Sequence, residues 1–169
     1  MKSYLGPVVL HGYLKVGLFA IPIGHGEVYM RSEGLDEDFV VAEVKTMRLF
    51  ELWRASPYGG NKYLAHGTPQ SWLKDYKFGE AEARFAEGRL NPVPIPRIEC
   101  AVSERGESFI EVMDVTRTIW LAANAAPYIP VTCEPGQINL LAHVTDTPRN
   151  CWSRSSGLLA GFRNCSPQP

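Results

Sequence analysis

The stretch from Phe109 to Cys133 constrains the fold more than any other part of the chain, because it reads as strand, tight turn, helix and returning strand without interruption. Phe109 to Met113 has strand composition. Asp114 is placed as a helix N-cap, its carboxylate within reach of the unpaired amide protons two and three residues on, so the helix is expected to begin at Val115. Ile119, Trp120 and Ala123 recur at helical spacing, the helix must stop before Pro127, and Ile129 to Cys133 is a second short apolar run. A strand that delivers the chain to a helix N-terminus makes an anion site. First-turn amides point outward and the helix dipole adds positive potential, which places Thr116, Arg117 and Thr118 to hold a phosphate.

The flanking sequence supplies the rest of one domain. Val8 to Leu10 and Tyr13 to Ile23 alternate apolar residues with glycine and lysine as half-buried strands do, Ile23-Gly-His-Gly-Glu27 reads as a hairpin turn, and Glu27 to Arg31 is the return strand. Phe39 to Val44 suits another strand. Thr46 is expected to cap a helix through Arg54, with Met47, Phe50 and Trp53 on one face and Leu49 and Leu52 on the next. Gly67-Thr-Pro-Gln-Ser-Trp72 carries a second helix start, with Thr68 as N-cap and Pro69 where its missing amide is harmless. Gly79 to Glu87 is a short helix facing inward through Ala81, Ala83 and Phe85 or Ala86, and Gly88 ends it. Asn91 to Pro96 must be extended, because each proline pushes its predecessor out of the helical region; it feeds a strand at Arg97 to Val102. Ser103 to Ser108 turns back into the Phe109 strand, and Ile138 to His143 is a weak helix. Residues 1–146 are thus expected to form a single domain and 147–169 a poorly ordered tail whose one apolar segment is Leu158 to Phe162.

Charge and cysteine usage exclude several classes. With 17 basic and 18 acidic residues the net charge is −1, so no global field draws the chain to nucleic acid and any DNA contact must be local. No run approaches the ~20 apolar residues a membrane helix requires, and the N-terminus lacks a signal peptide's pattern, so a cytoplasmic protein without membrane insertion is expected. Cys100, Cys133, Cys151 and Cys165 form no Cys-x-x-Cys pair, which argues against a zinc site and a disulfide scaffold; Cys100 and Cys133 fall in strands and read as buried thiols.

The spacing of Asp114-Val-Thr-Arg117, an alanine-rich helix and Ile129-Pro-Val131 resembles the turn, helix and strand shared by ParB-type nucleotide-binding domains and sulfiredoxin. In those families the turn reads glycine, any two residues, arginine, and the arginine holds nucleotide phosphate. Asp114 stands where the glycine would be, and Val115 stands where sulfiredoxin needs a cysteine, so sulfinic acid reduction is set aside. Thr116 to Ala126, with Gly67-Thr-Pro-Gln-Ser-Trp72, Asp75-Tyr-Lys-Phe78 and Asn91-Pro-Val-Pro94, further resembles the plasmid fertility inhibition family of the Osa and FiwA type, over about residues 45 to 135. The resemblance implies an α+β, ParB/sulfiredoxin-like domain with a small mixed sheet and helices packed around it.

What such a domain would do divides into two readings. In the first, Arg117, Thr116, Thr118 and Lys62 hold the phosphate of a nucleotide or of DNA, and Glu111 and Asp114, as catalytic carboxylates beside Arg117, place Mg²⁺ against the same anion. Arginine suits this because its planar fork gives two parallel charge-assisted bonds to phosphate oxygens. Lys77 and Asp75 are weaker additions. The family likeness then implies inhibition of conjugative, type IV secretion DNA transfer, with ATP as ligand and ATPase and metal-dependent DNase activity. In the second reading, Asp114 and Arg117 are a capping residue and its surface ion pair, and the protein is a non-catalytic module that docks on the type IV coupling protein.

Overall fold

Strand β1 (Tyr4–Leu10) buries alternate residues, while strand β2 (Leu14–Ile23) is more continuously apolar, and the two pair antiparallel. The computed structural model describes residues 3–34, 40–58, 60–145, 151–153 and 163–164. Beyond the turn at Gly24 and His25, strand β3 (Gly26–Gly34) returns along β2, with Gly26 at φ 139° where only glycine is unstrained. Strand β4 (Val40–Lys45) buries five successive residues, including Glu43, and so shows none of the alternation of a strand with one wet face.

Helix α1 (Thr46–Ala55) follows at once. It begins where the sequence suggests but is not capped as expected: Thr46 is its first helical residue, and its hydroxyl donates to the Ala126 carbonyl across the fold. Leu49, Phe50, Leu52 and Trp53 form the buried face, whereas Met47, at helical spacing with Phe50 and Trp53, is 78% exposed. A one-turn 3-10 segment at Lys62–His66 leads to helix α2 (Pro69–Trp72), where Thr68 caps as expected, in a reciprocal box with Ser71. Helix α3 (Phe78–Ala86) faces inward through Phe78, Ala81 and Phe85, so the spacing that counts starts one residue before Gly79, and Ala83 and Ala86 are exposed. Gly88 adopts φ 63° behind it.

The proline-rich segment carries the two-residue strand β5 (Val93–Pro94), parallel to β3. Strands β6 (Ile98–Val102) and β7 (Ser108–Val112) form the expected hairpin. Helix α4 (Val115–Ala123), strand β8 (Tyr128–Cys133) and helix α5 (Ile138–Thr145) complete the domain's order. Two short strands lie within the stretch expected to be a tail. Strand β9 (Cys151–Ser153) pairs antiparallel with β4, and strand β10 (Arg163–Asn164) pairs with β9. Leu158 to Phe162 lies outside the described residues.

The architecture is α+β with mixed strand directions, as expected, but the strands make three small sheets rather than one: β1-β2-β3-β5, β10-β9-β4-β8 and the β6-β7 pair. Most of the buried apolar side chains of sheets and helices belong to one core, with Trp120 of α4 stacked on Phe85 of α3 at 4.1 Å between ring centroids. No helix among the described residues is long and apolar enough to cross a membrane. Cys100 and Cys133 are buried free thiols, as expected. Desolvation pushes both up to about 12 from an ordinary value of 9.0.

Two predictions follow from the packing. A Cβ on Gly67 would lie 2.2 Å from the Trp72 indole nitrogen, which donates to the Leu64 carbonyl, and 2.9 Å from the Ser71 hydroxyl of the capping box. Trp72 is buried and cannot swing aside, so Gly67→Ala is expected to lower the stability read from urea unfolding by about 1–3 kcal/mol. The thiols set an alkaline limit. Above about pH 9 the unfolded chain releases these protons while the folded chain keeps them until about pH 12, so the folded state binds more protons and stability falls across that window. Replacing Cys100 and Cys133 by alanine is expected to flatten this part of the stability–pH curve.

Candidate functional site

Three segments distant in sequence enclose one cleft of about 580 Å³. The 3-10 turn contributes Tyr63 and Leu64 with neighbouring Asn61, the start of α3 contributes Asp75, Tyr76, Lys77, Glu80 and Arg84, and the turn into α4 contributes Met113 to Arg117. Each wall has an identifiable anchor. Arg54 Nε and Trp72 Nε1 donate to the carbonyls of Ala65 and Leu64 at 2.7 and 2.9 Å, fixing the turn to α1 and α2. The α3 wall is held by Phe85 on Trp120. Helix α4 is held through its N-terminus.

That N-terminus is built differently from the sequence expectation. Asp114 occupies the N-cap position with φ −101° and ψ 67°, but its side chain makes no capping bond. Instead Oδ2 accepts from the Arg97 backbone N–H at 3.0 Å, and Oδ1 receives Arg117 Nη2 at 3.1 Å. The first-turn amides of Val115, Thr116 and Arg117 therefore keep their hydrogen-bonding capacity, and all three residues line the cleft. Arg117 Nη1 donates to the Pro94 carbonyl at 3.1 Å, so the guanidinium is oriented by a carboxylate and a carbonyl at the edge of the cleft.

The remaining site residues divide. Thr116 lines the cleft. Thr118 is fully buried, and its hydroxyl donates to the Asp114 carbonyl at 3.1 Å, so it does not reach a ligand there. Lys62 is absent from the cleft lining because its ammonium donates to the Ser56 carbonyl at 3.0 Å, tying the 3-10 turn to the end of α1. Glu111 lies on the same side of β7 as Phe109, against residues 56–58: Ser56 Oγ donates to its Oε1 at 3.1 Å, and Tyr58 packs on Phe109. Glu111 is also outside the cleft lining, and both Asp114 oxygens already have donors, so the cleft does not bring the two carboxylates together. Among the described residues no group of three or more histidine, cysteine and acidic side chains could hold a metal.

Asn61, Tyr63, Tyr76, Glu80 and Arg84 are polar cleft residues that sequence reasoning missed. Lys77, Glu80 and Arg84 recur at helical spacing in the stripe beside buried Phe78, Ala81 and Phe85, which is the signal that would have found Arg84. Lys77, with its ammonium 5.5 Å from the Tyr76 ring centroid, and Arg84 have no carboxylate within ion-pair distance among the described residues. Asp75 Oδ1 accepts from the Lys77 backbone N–H at 2.8 Å.

Asp114 thus has two separable roles. Asp114→Asn keeps an acceptor for the Arg97 amide and removes only a partly exposed ion pair, so its melting temperature is expected to change little, by less than about 1 kcal/mol in stability. Asp114→Ala leaves that amide without its acceptor and is expected to cost about 1–3 kcal/mol. Equal losses in the two variants would show that the ion pair, not the backbone bond, fixes the turn.

With this geometry established, the chain was compared with known proteins. Residues 41–145 match the model of a family described as plasmid fertility inhibition factor. Among solved structures, the crystal structure of oncogenic suppression activity protein, a plasmid fertility inhibition factor, as its gold(I) cyanide derivative, superposes with a TM-score of 0.67. The alignment has 21% sequence identity and covers 94% of this chain and 78% of that one, a likeness of fold. No curated protein matches the sequence. Because the family match spans more than half of the residues and takes in all three walls of the cleft, this chain belongs to the plasmid fertility inhibition factor family.

Proposed function

We propose that the protein inhibits conjugative DNA transfer through type IV secretion by binding a phosphate-bearing ligand, a nucleotide or DNA, in the cleft at the α4 N-terminus. One observation carries this reading: uncapped first-turn amides, Arg117, and Lys77 and Arg84, which have no acidic partner among the described residues, line a single cleft. The β7–α4–β8 unit acts in this proposal as the ParB/sulfiredoxin-type phosphate turn, with the aspartate in the glycine position orienting the arginine. A cytoplasmic location follows from the same role, since the DNA and the coupling protein are met there. ATP hydrolysis and metal-dependent DNA cleavage are the finer activities that the resemblance implies. Both would need carboxylates converging on the phosphate, and Glu111 faces Ser56 instead, so the geometry supports binding ahead of cutting.

The second reading, docking on the type IV coupling protein, is favoured by the balance of the cleft itself. Asp75, Glu80 and Asp114 match Lys77, Arg84 and Arg117 in number, a surface suited to a protein partner as well as to an anion.

Melting with ATP, CTP and GTP, with and without Mg²⁺, separates the two. Ligand at about 100 times its dissociation constant is expected to add about 2.7 kcal/mol of stability to the wild type. Arg117→Ala and the exposed Arg84→Ala are both expected to abolish the shift, and in a mating assay both are expected to restore plasmid transfer. A protein that shows no shift with any nucleotide yet still suppresses transfer would remove the nucleotide and leave DNA or the docking role.

A further inference from the structure

The cleft has a feature that phosphate binding does not use. Tyr63 and Tyr76 both line it, on different walls, and they are 64% and 80% exposed. Among the described residues neither ring packs against another aromatic ring: the aromatic contacts join Tyr4 to Phe19, Phe50 to Trp53 and Trp72, Tyr58 to Phe109, and Phe85 to Trp120. Tyr76 has the Lys77 ammonium over its ring at 5.5 Å. Both rings stand in water on the cleft walls, whereas Trp72, Phe78, Phe85 and Trp120 behind them are buried to 5% exposure or less.

We propose that Tyr63 and Tyr76 are stacking platforms for unpaired nucleobases and that the occupant of the cleft is single-stranded DNA, its backbone lying along Lys77, Arg84 and the α4 N-terminus. This rests on the phosphate-binding reading and deepens it. The charges select a short stretch of strand. Asp114 is answered by Arg117 and the Arg97 amide, which leaves Lys77, Arg84 and the helix dipole against Asp75 and Glu80. A cleft whose side-chain charges balance cannot rely on phosphate contacts, so stacking must supply a large part of the affinity. Duplex DNA keeps its base faces covered and offers the rings nothing.

The test is fluorescence anisotropy with the full chain and three labelled probes of equal length, about twelve residues: oligothymidylate, its duplex with oligoadenylate, and an oligomer of abasic deoxyribose phosphate. Oligothymidylate is expected to bind at least about fivefold more tightly than either of the others. Its affinity is expected to fall with salt at a shallow log–log slope of about −1.4 to −2, as for two or three phosphate contacts on a single strand. Tyr76→Ala and Tyr63→Ala are each expected to weaken oligothymidylate by at least about fivefold and leave the abasic probe unchanged, while Tyr76→Phe retains binding. Equal binding of oligothymidylate and the abasic probe would overturn the stacking role and leave phosphate binding intact. Tighter binding of the duplex would overturn the choice of strand, and failure of all three probes would overturn both this proposal and the DNA branch of the phosphate reading.

Discussion

Pro92, Pro94 and Pro96 alternate with Val93, Ile95 and Arg97, and this spacing determines how the three sheets meet. A proline has no N–H, so in an extended segment the alternate positions it occupies can only accept. The residues between them supply the donors: Ile95 donates to the Arg31 carbonyl of β3 at 2.8 Å and Arg97 to the Asp114 carboxylate at 3.0 Å. The proline carbonyls are met by other partners, Pro94 by Arg117 at 3.1 Å and Pro96 by the Thr132 amide of β8 at 2.8 Å. Met113 N–H closes the set on the Arg97 carbonyl at 3.0 Å. One extended segment therefore touches β3, β8 and the turn into α4, and the polar groups of a proline-rich stretch at the centre of a fold are matched without a continuous sheet.

The same segment explains why the site arginine is where it is. Arg117 leaves the first turn of α4 and meets a carbonyl and a carboxylate, so its guanidinium reaches the cleft in a fixed orientation and at reduced net charge. In the proposed phosphate site an anion would compete with Asp114 for Arg117, with the amides that Asp114 leaves uncapped and Lys77 and Arg84 acting on its side. The aspartate in place of a turn glycine is thus compatible with a bound anion because its oxygens are directed away, toward Arg97 and Arg117, and not onto the first-turn amides.

Local chemistry was legible in the sequence, and relations between distant segments were not. The strand at Ser108–Val112, the helix start at Val115, the cap of Thr68 on α2 and the extended prolines all follow from spacing and from the donors each residue carries. Which partner a side chain chose could not be read from spacing. Thr46 and Asp114 each sit at a helix start with the right chemistry to cap it, yet the Ala126 carbonyl and the Arg97 amide, far along the chain, are what they bond. Lys62 and Glu111 turn to the backbone and side chain of Ser56, a buried residue between them that no pattern marked. Arg84 was hidden for the opposite reason: on a short surface helix it looks like any solvated cation until Tyr63 and the α4 turn appear opposite it.

Strand β9 lies along the margin of β4 that β8 leaves open, residue for residue with Val40, Val41 and Ala42. Those three are among the most apolar positions of the chain, and without β9 their amides and carbonyls would form a bare hydrophobic ridge of the kind that templates intermolecular pairing. The strand therefore does two jobs with three residues, extending the sheet and occupying an edge that β4 and β8 together would still leave open to a neighbouring molecule.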